Sequence, residues 1–123
     1  MARKLSKRTL DRFQRRLGDE QVRLEAIIDE FDRQREASRL AESSSEHNAD
    51  PDNADGGSLA FEMEMDLSME QNAKELLEKV RHAQDRMEKG QYGICEVTGE
   101  PIPVARLEAL PYATTTVEAA NRV

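Results

Sequence analysis

The chain has 123 residues, of which 35% are charged, 37% hydrophobic and only 4% aromatic, with a net charge of −7. An average globular domain carries roughly 45–50% apolar residues, so a compact core of ordinary size is excluded. Long helices that bury one narrow seam fit these numbers.

The cations and carboxylates are segregated. Arg3, Lys4, Lys7, Arg8, Arg12, Arg15 and Arg16 crowd the first sixteen positions against Asp11 alone. Between Arg39 and Lys74 there is no Lys or Arg, while Glu42, Glu46, Asp50, Asp52, Asp55, Glu62, Glu64, Asp66 and Glu70 fall in that interval. One reading of such a run is a solvated, self-repelling face; the other is an acidic tip drawn to a basic site or a bound metal ion. Either way, naked nucleic acid is a poor partner for it. No apolar run approaches the roughly 18 residues of a membrane span, and the N-terminus lacks the apolar core of a secretory signal. One cysteine, Cys95, cannot form an internal disulfide. A cytoplasmic protein without a membrane partner is the expectation.

In chain order, Ser6 is placed to cap a first helix. Leu10, Phe13, Leu17, Leu24, Ile27 and Phe31 follow at steps of three and four, with Glu20 as the polar interruption and Gly18 as a weak point. The stripe fades beyond Phe31, where Gln34 and Ser38 fall on the seam. Ser43 to Ser58, containing Pro51, Gly56 and Gly57, reads as a loop, with Ser58 as the cap of a second helix. That helix is expected over 59–89, with its stripe on Met69, Ala73, Leu76, Val80, Ala83 and Met87, and Lys89-Gly90 as its stop. Two stripes joined by a Pro- and Gly-containing loop argue for an antiparallel hairpin within one chain. An intermolecular coiled coil is the competing arrangement.

From Gln91 the pattern changes. Tyr92 to Cys95 suggests a short strand, Thr98-Gly99 a turn, Val104 to Leu110 a short helix with Pro103 as its first residue, and Thr114 to Val117 a β-favouring run. The last residues suit one or two helical turns. The fold class expected is therefore mainly α: a two-helix coiled-coil hairpin over 1–90 with an acidic tip near 50–57, then a small α/β block over 91–123.

That block, Tyr92-Gly93-Ile94-Cys95-Glu96-Val97-Thr98-Gly99-Glu100-Pro101-Ile102-Pro103 with Arg106-Leu107-Glu108-Ala109 and Pro111-Tyr112-Ala113, resembles the C-terminal zinc finger of the DksA/TraR family. The family pattern runs aromatic-Gly-x-Cys-x-x-Cys-Gly, then Arg-Leu-Glu-Ala-x-Pro, then a second Cys-x-x-Cys. Here the four ligand positions hold Cys95, Thr98, Thr116 and Ala119. A structural zinc site takes four thiolate or imidazole donors, so none is expected, and Cys95 reads as a small buried residue. Ile94, Val97, Ile102, Val104, Leu107, Leu110, Tyr112 and Val117 are the candidates to replace the metal by packing.

The resemblance also implies a function. Family members carry Asp-x-x-Asp-x-Ala at the coiled-coil tip, which they insert into the secondary channel of bacterial RNA polymerase to modulate initiation. Asp52 and Asp55 match both aspartates, and Gly57 stands at the alanine position. On residue chemistry alone the same stretch is an Asp/Asn/Gly turn bonding its own backbone. Some members bind guanosine tetraphosphate through a basic cluster; Lys79 fits it, but Leu110 and Ala120 stand where cations are needed, so neither this ligand nor another cofactor is expected. The expectation is a monomeric, non-enzymatic transcription regulator that binds RNA polymerase without sequence-specific DNA contacts. The alternative is a coiled-coil interaction protein or oligomer that has lost polymerase regulation.

Overall fold

The fold was analysed in a computed structural model, which describes residues 5–44 and 56–121. Four helices occur among them: α1 (Lys7–Ser44), α2 (Gly56–Glu88), α3 (Val104–Ala109) and α4 (Val117–Asn121). The 38 residues of α1 extend about 57 Å at 1.5 Å per residue. Ser6 caps it, its side-chain oxygen accepting from the Thr9 N–H at 3.2 Å. The helix continues through Gly18.

The two long helices are antiparallel. The Gln84 side chain donates to that of Gln21 at 2.9 Å. Arg35, 14 residues beyond Gln21 on α1, meets Glu70, 14 residues before Gln84 on α2. On α1 the buried seam is Phe13, Leu17 and Leu24, with Leu10, Ile27 and Ile28 packed at its edge. Gln21, rather than Glu20, is the polar break in it, because Glu20 turns to Arg23 on the surface. On α2 the seam is Glu70, Ala73, Leu77 and Val80, with Ala83 also buried. Ala73, Val80 and Ala83 are buried as expected, but two positions of the expected stripe give way to their neighbours: Met69 is 57% exposed and Leu76 lies at the edge. The reason at Met69 is Glu70, whose ion pair with Arg35 lets a carboxylate occupy a seam position that hydrophobic counting assigns to its neighbour.

The glycines Gly56 and Gly57 open α2 instead of ending the loop, so Ser58 does not precede the helix. The first N–H groups of a helix lack intrahelical partners anyway, and a flexible residue costs least there. At the other end, the Gly90 N–H donates to Met87 O at 3.1 Å and the Gln91 N–H to Arg86 O at 2.8 Å. With Gly90 at φ 72°, this pair of bonds forms the Schellman stop foreseen at Lys89-Gly90.

The C-terminal block packs on the base of the hairpin. No strand forms among the described residues; Ile94 and Pro101 make one antiparallel bridge. Prolines at 101 and 103 remove the donors a ladder would need. Pro103 is the N-cap of α3, not its first residue. Tyr92, Cys95, Ile102, Leu107, Ala113 and Ala119 are buried, whereas Val97, Val104 and Val117 stay substantially exposed. The compactness comes from fewer side chains than the sequence suggests, supplemented by hydrogen bonds. Tyr92 joins both parts, its ring 5.9 Å from Phe13 and its hydroxyl donating to Pro111 O at 2.7 Å.

Candidate functional site at the arm and its base

Three regions carry the chemistry foreseen in the sequence. The first is the tip. Asp52 and Asp55 lie outside the described residues, and Gly57 falls in the first turn of α2 at the far end of the arm. The arm leading there is acidic and, on α2, unusually apolar at its surface: Phe61, Met63, Met65, Leu67 and Met69 are all about half exposed or more. A groove of about 680 Å³ runs between the helices, bordered by Phe31, Arg35, Met63 and Leu67.

The second region surrounds Cys95. The Cys95 N–H donates to Glu100 O at 2.7 Å and the Gly99 N–H to Cys95 O at 2.8 Å, closing a tight knuckle that requires Gly99 at φ 75°. The thiol points inward and is 1% exposed. The Thr116 N–H reaches its sulfur at 3.4 Å and the Thr116 hydroxyl lies at 3.9 Å. The same hydroxyl oxygen accepts from the Ala119 N–H at 3.3 Å, capping α4. Burial pushes the thiol up, but hydrogen bonds from the Thr98 side chain and from the Thr116, Thr98 and Val97 amides outweigh it. The thiol is held at about 6.

The third region is the cleft between α2 and the base, of about 610 Å³. It brings Lys79, Leu110 and Ala120 together, as the family pattern at those three positions implies. Arg106 and His82 share the cleft with Glu75, Glu78 and Glu96. Arg106 is turned to the backbone, donating to Thr115 O at 2.8 Å, and the His82 ring nitrogen sits 2.7 Å from Glu96. A multiply charged anion would meet three carboxylates here.

Known proteins share this architecture. Residues 90–123 match the family model of the prokaryotic dksA/traR C4-type zinc finger. The chain is similar to General stress protein 16O of Bacillus subtilis, 48% identical over 66 residues, which are 54% of this chain and 40% of that protein. It is 45% identical over 71 residues to the RNA polymerase-binding transcription factor DksA of Caulobacter vibrioides, covering 58% of this chain and 50% of the relative. The chain thus matches half or less of the length of these curated relatives. The structure of transcription factor DksA2 from Pseudomonas aeruginosa is similar at a TM-score of 0.71 and 31% identity, over 95% of this chain and 84% of that one. The chain belongs to the DksA/TraR family.

As a DksA/TraR protein it departs from the C4 pattern in its donors, not in its backbone knuckle. Thr98 and Thr116 offer neutral hydroxyls, Ala119 offers no donor, and the Cys95 sulfur is already an acceptor for Thr116. This set does not fit a structural zinc ion. Among the described residues no group of three or more His, Cys, Asp or Glu is placed to hold a metal, and no described helix is long and apolar enough to cross a membrane. The sequence reading missed two features. The Arg35–Glu70 pair has a signal only once Gln21 and Gln84 are known to face each other, because each residue lies two heptads from its glutamine. The His82–Glu96 link between arm and base carries no signal in sequence spacing.

Proposed function

We propose that this protein is a transcription regulator that binds bacterial RNA polymerase, its helical arm entering the secondary channel and its acidic tip modulating initiation. The observation that carries this reading is the likeness to DksA2 over 95% of the chain, arm included, which extends the similarity beyond the finger. The name of the Caulobacter relative, an RNA polymerase-binding factor, supports the choice of partner. Residues 1–90 act as the arm and 91–123 as the base that seats it. Asp52 and Asp55, with Gly57 beside them, are the residues that act on polymerase. The protein works as a cytoplasmic monomer without catalysis, cofactor or direct DNA recognition.

The test is binding to purified bacterial RNA polymerase and then initiation in vitro, comparing the native chain with Asp52→Asn/Asp55→Asn. Binding by both, with initiation altered by the native chain alone, supports the reading. Absence of binding at micromolar concentration overturns it in favour of a coiled-coil interaction protein.

A further inference from the structure

From Leu59 to Met69 a large apolar residue occupies every second position, and from Phe61 to Glu70 the positions between are polar, Glu62, Glu64 and Asp66 among them. Alternation with period two is the signature of a half-buried strand, yet this segment is helix. In a helix each step of two turns the side chain by about 200°. The apolar residues therefore divide into two rows on opposite sides of α2: Leu59, Met63 and Leu67 on one, Phe61, Met65 and Met69 on the other. The first row borders the groove against α1 through Met63 and Leu67, and none of the second row lines it. A hairpin needs only one such row. Here neither is covered, all six residues being 48–63% exposed. The facing part of α1 presents Asp32, Arg35, Glu36, Arg39 and Glu42 to the groove, with Phe31 at its inner end, and Met63 and Leu67 each remain 59% exposed beside it.

We infer that the distal arm is gripped on two opposite faces at once, both rows serving as the docking surface for a partner cleft with apolar walls and cationic rims. Two-sidedness requires a concave partner, because a flat surface covers one row only. The charge requirement comes from the carboxylates between the rows and from the absence of Lys and Arg over residues 56–73. A second copy of this chain laid alongside in parallel would cover one row and place acid against acid. Methionine suits such a surface because its flexible thioether adapts to irregular walls. The inference rests on the polymerase reading above and names which residues of the arm the enzyme holds.

Methionine footprinting tests it on the native chain. Hydrogen peroxide transfers one oxygen atom to an accessible thioether, giving sulfoxide and water, and mass spectrometry follows each methionine. Oxidation is compared with and without polymerase, binding being measured in the same samples, with Met87, packed against the core at the base, as reference. The expected result is that Met63 of the inner row and Met65 and Met69 of the outer row slow together, severalfold, relative to Met87. Met65→Gln/Met69→Gln should weaken binding at least about tenfold while helicity by circular dichroism is kept. Binding with one row protected, with neither protected, or with unchanged affinity in the double variant overturns the inference and leaves the polymerase reading standing. Slowing produced by raising the concentration of the chain alone overturns it in favour of self-association. No binding at all removes both.

Discussion

Glu70 on α2 accepts hydrogen bonds on both carboxylate oxygens from the Arg35 guanidinium on α1, its side chain 5% exposed against 51% for the arginine. Lys74 adds a second cation at 3.3 Å. The pair sits where the apolar seam gives way to the polar distal arm, and it fixes the register there.

Arg35 and then Lys74 hold the Glu70 carboxyl down to about 2, below its ordinary 4.5, against the opposing effect of burial. A lowered carboxylate stabilises the fold fully above the unfolded value and loses that contribution as pH falls through the folded one. Thermal unfolding monitored by circular dichroism should therefore show a loss between about pH 4.5 and 2 that Glu70→Gln lacks. Arg35→Met should destabilise more than Glu70→Gln, because it leaves a buried carboxylate with the half-exposed Lys74 as its remaining cation. Arg35→Met/Glu70→Leu should recover the loss.

At Cys95 the sign is the same and the window differs. The folded thiol, at about 6 against an ordinary 9, favours the fold increasingly as pH rises from 6 to 9. The thiolate absorbance in the ultraviolet is expected to titrate near pH 6. The stability difference between native and Cys95→Ser should widen across that same interval.

The base keeps the outline of a metal site. A tetrahedral zinc with sulfur at 2.3 Å sets its ligands about 3.8 Å apart, and Cys95 Sγ lies 3.9 Å from Thr116 Oγ1. Thr98→Cys/Thr116→Cys/Ala119→Cys is expected to bind one zinc per chain in native mass spectrometry. It should also raise the melting temperature only when zinc is present.

Gly18 lies inside α1, and a Cβ placed on it would meet nothing within 4 Å. Gly18→Ala should add about 1 kcal/mol to stability in denaturant titrations by removing backbone freedom from the unfolded chain.

Much of this architecture was legible in the sequence. Ser6, the spacing of Phe13, Leu17 and Leu24, and Lys89-Gly90 each specify a local geometry with few alternatives, and each occurs as expected. The distal end of the α2 stripe was not legible, because a residue's hydrophobicity does not report that Glu70 has a partner on another helix. The short strand was overestimated for a related reason: β-favouring residues make a ladder only where donors face acceptors, and Pro101 and Pro103 remove two donors. At the base, the match of Cys95, Thr98, Thr116 and Ala119 to ligand positions located the site. Its hydrogen bonding to sulfur depends on amide directions set by the folded knuckle.

The 14-residue interval separating the Gln21–Gln84 and Arg35–Glu70 pairs is two heptads on each helix. The arm is therefore a ruler graduated in units of seven residues. Removing one such unit from both helices would leave every facing pair in phase and bring the tip about 10 Å closer to the base. Removing it from α1 alone, between Gln21 and Arg35, would keep the seam on its face but shift every facing pair beyond the deletion by seven residues, parting Arg35 from Glu70. Reach and packing are thus coupled in this hairpin, and its length can change only in matched steps.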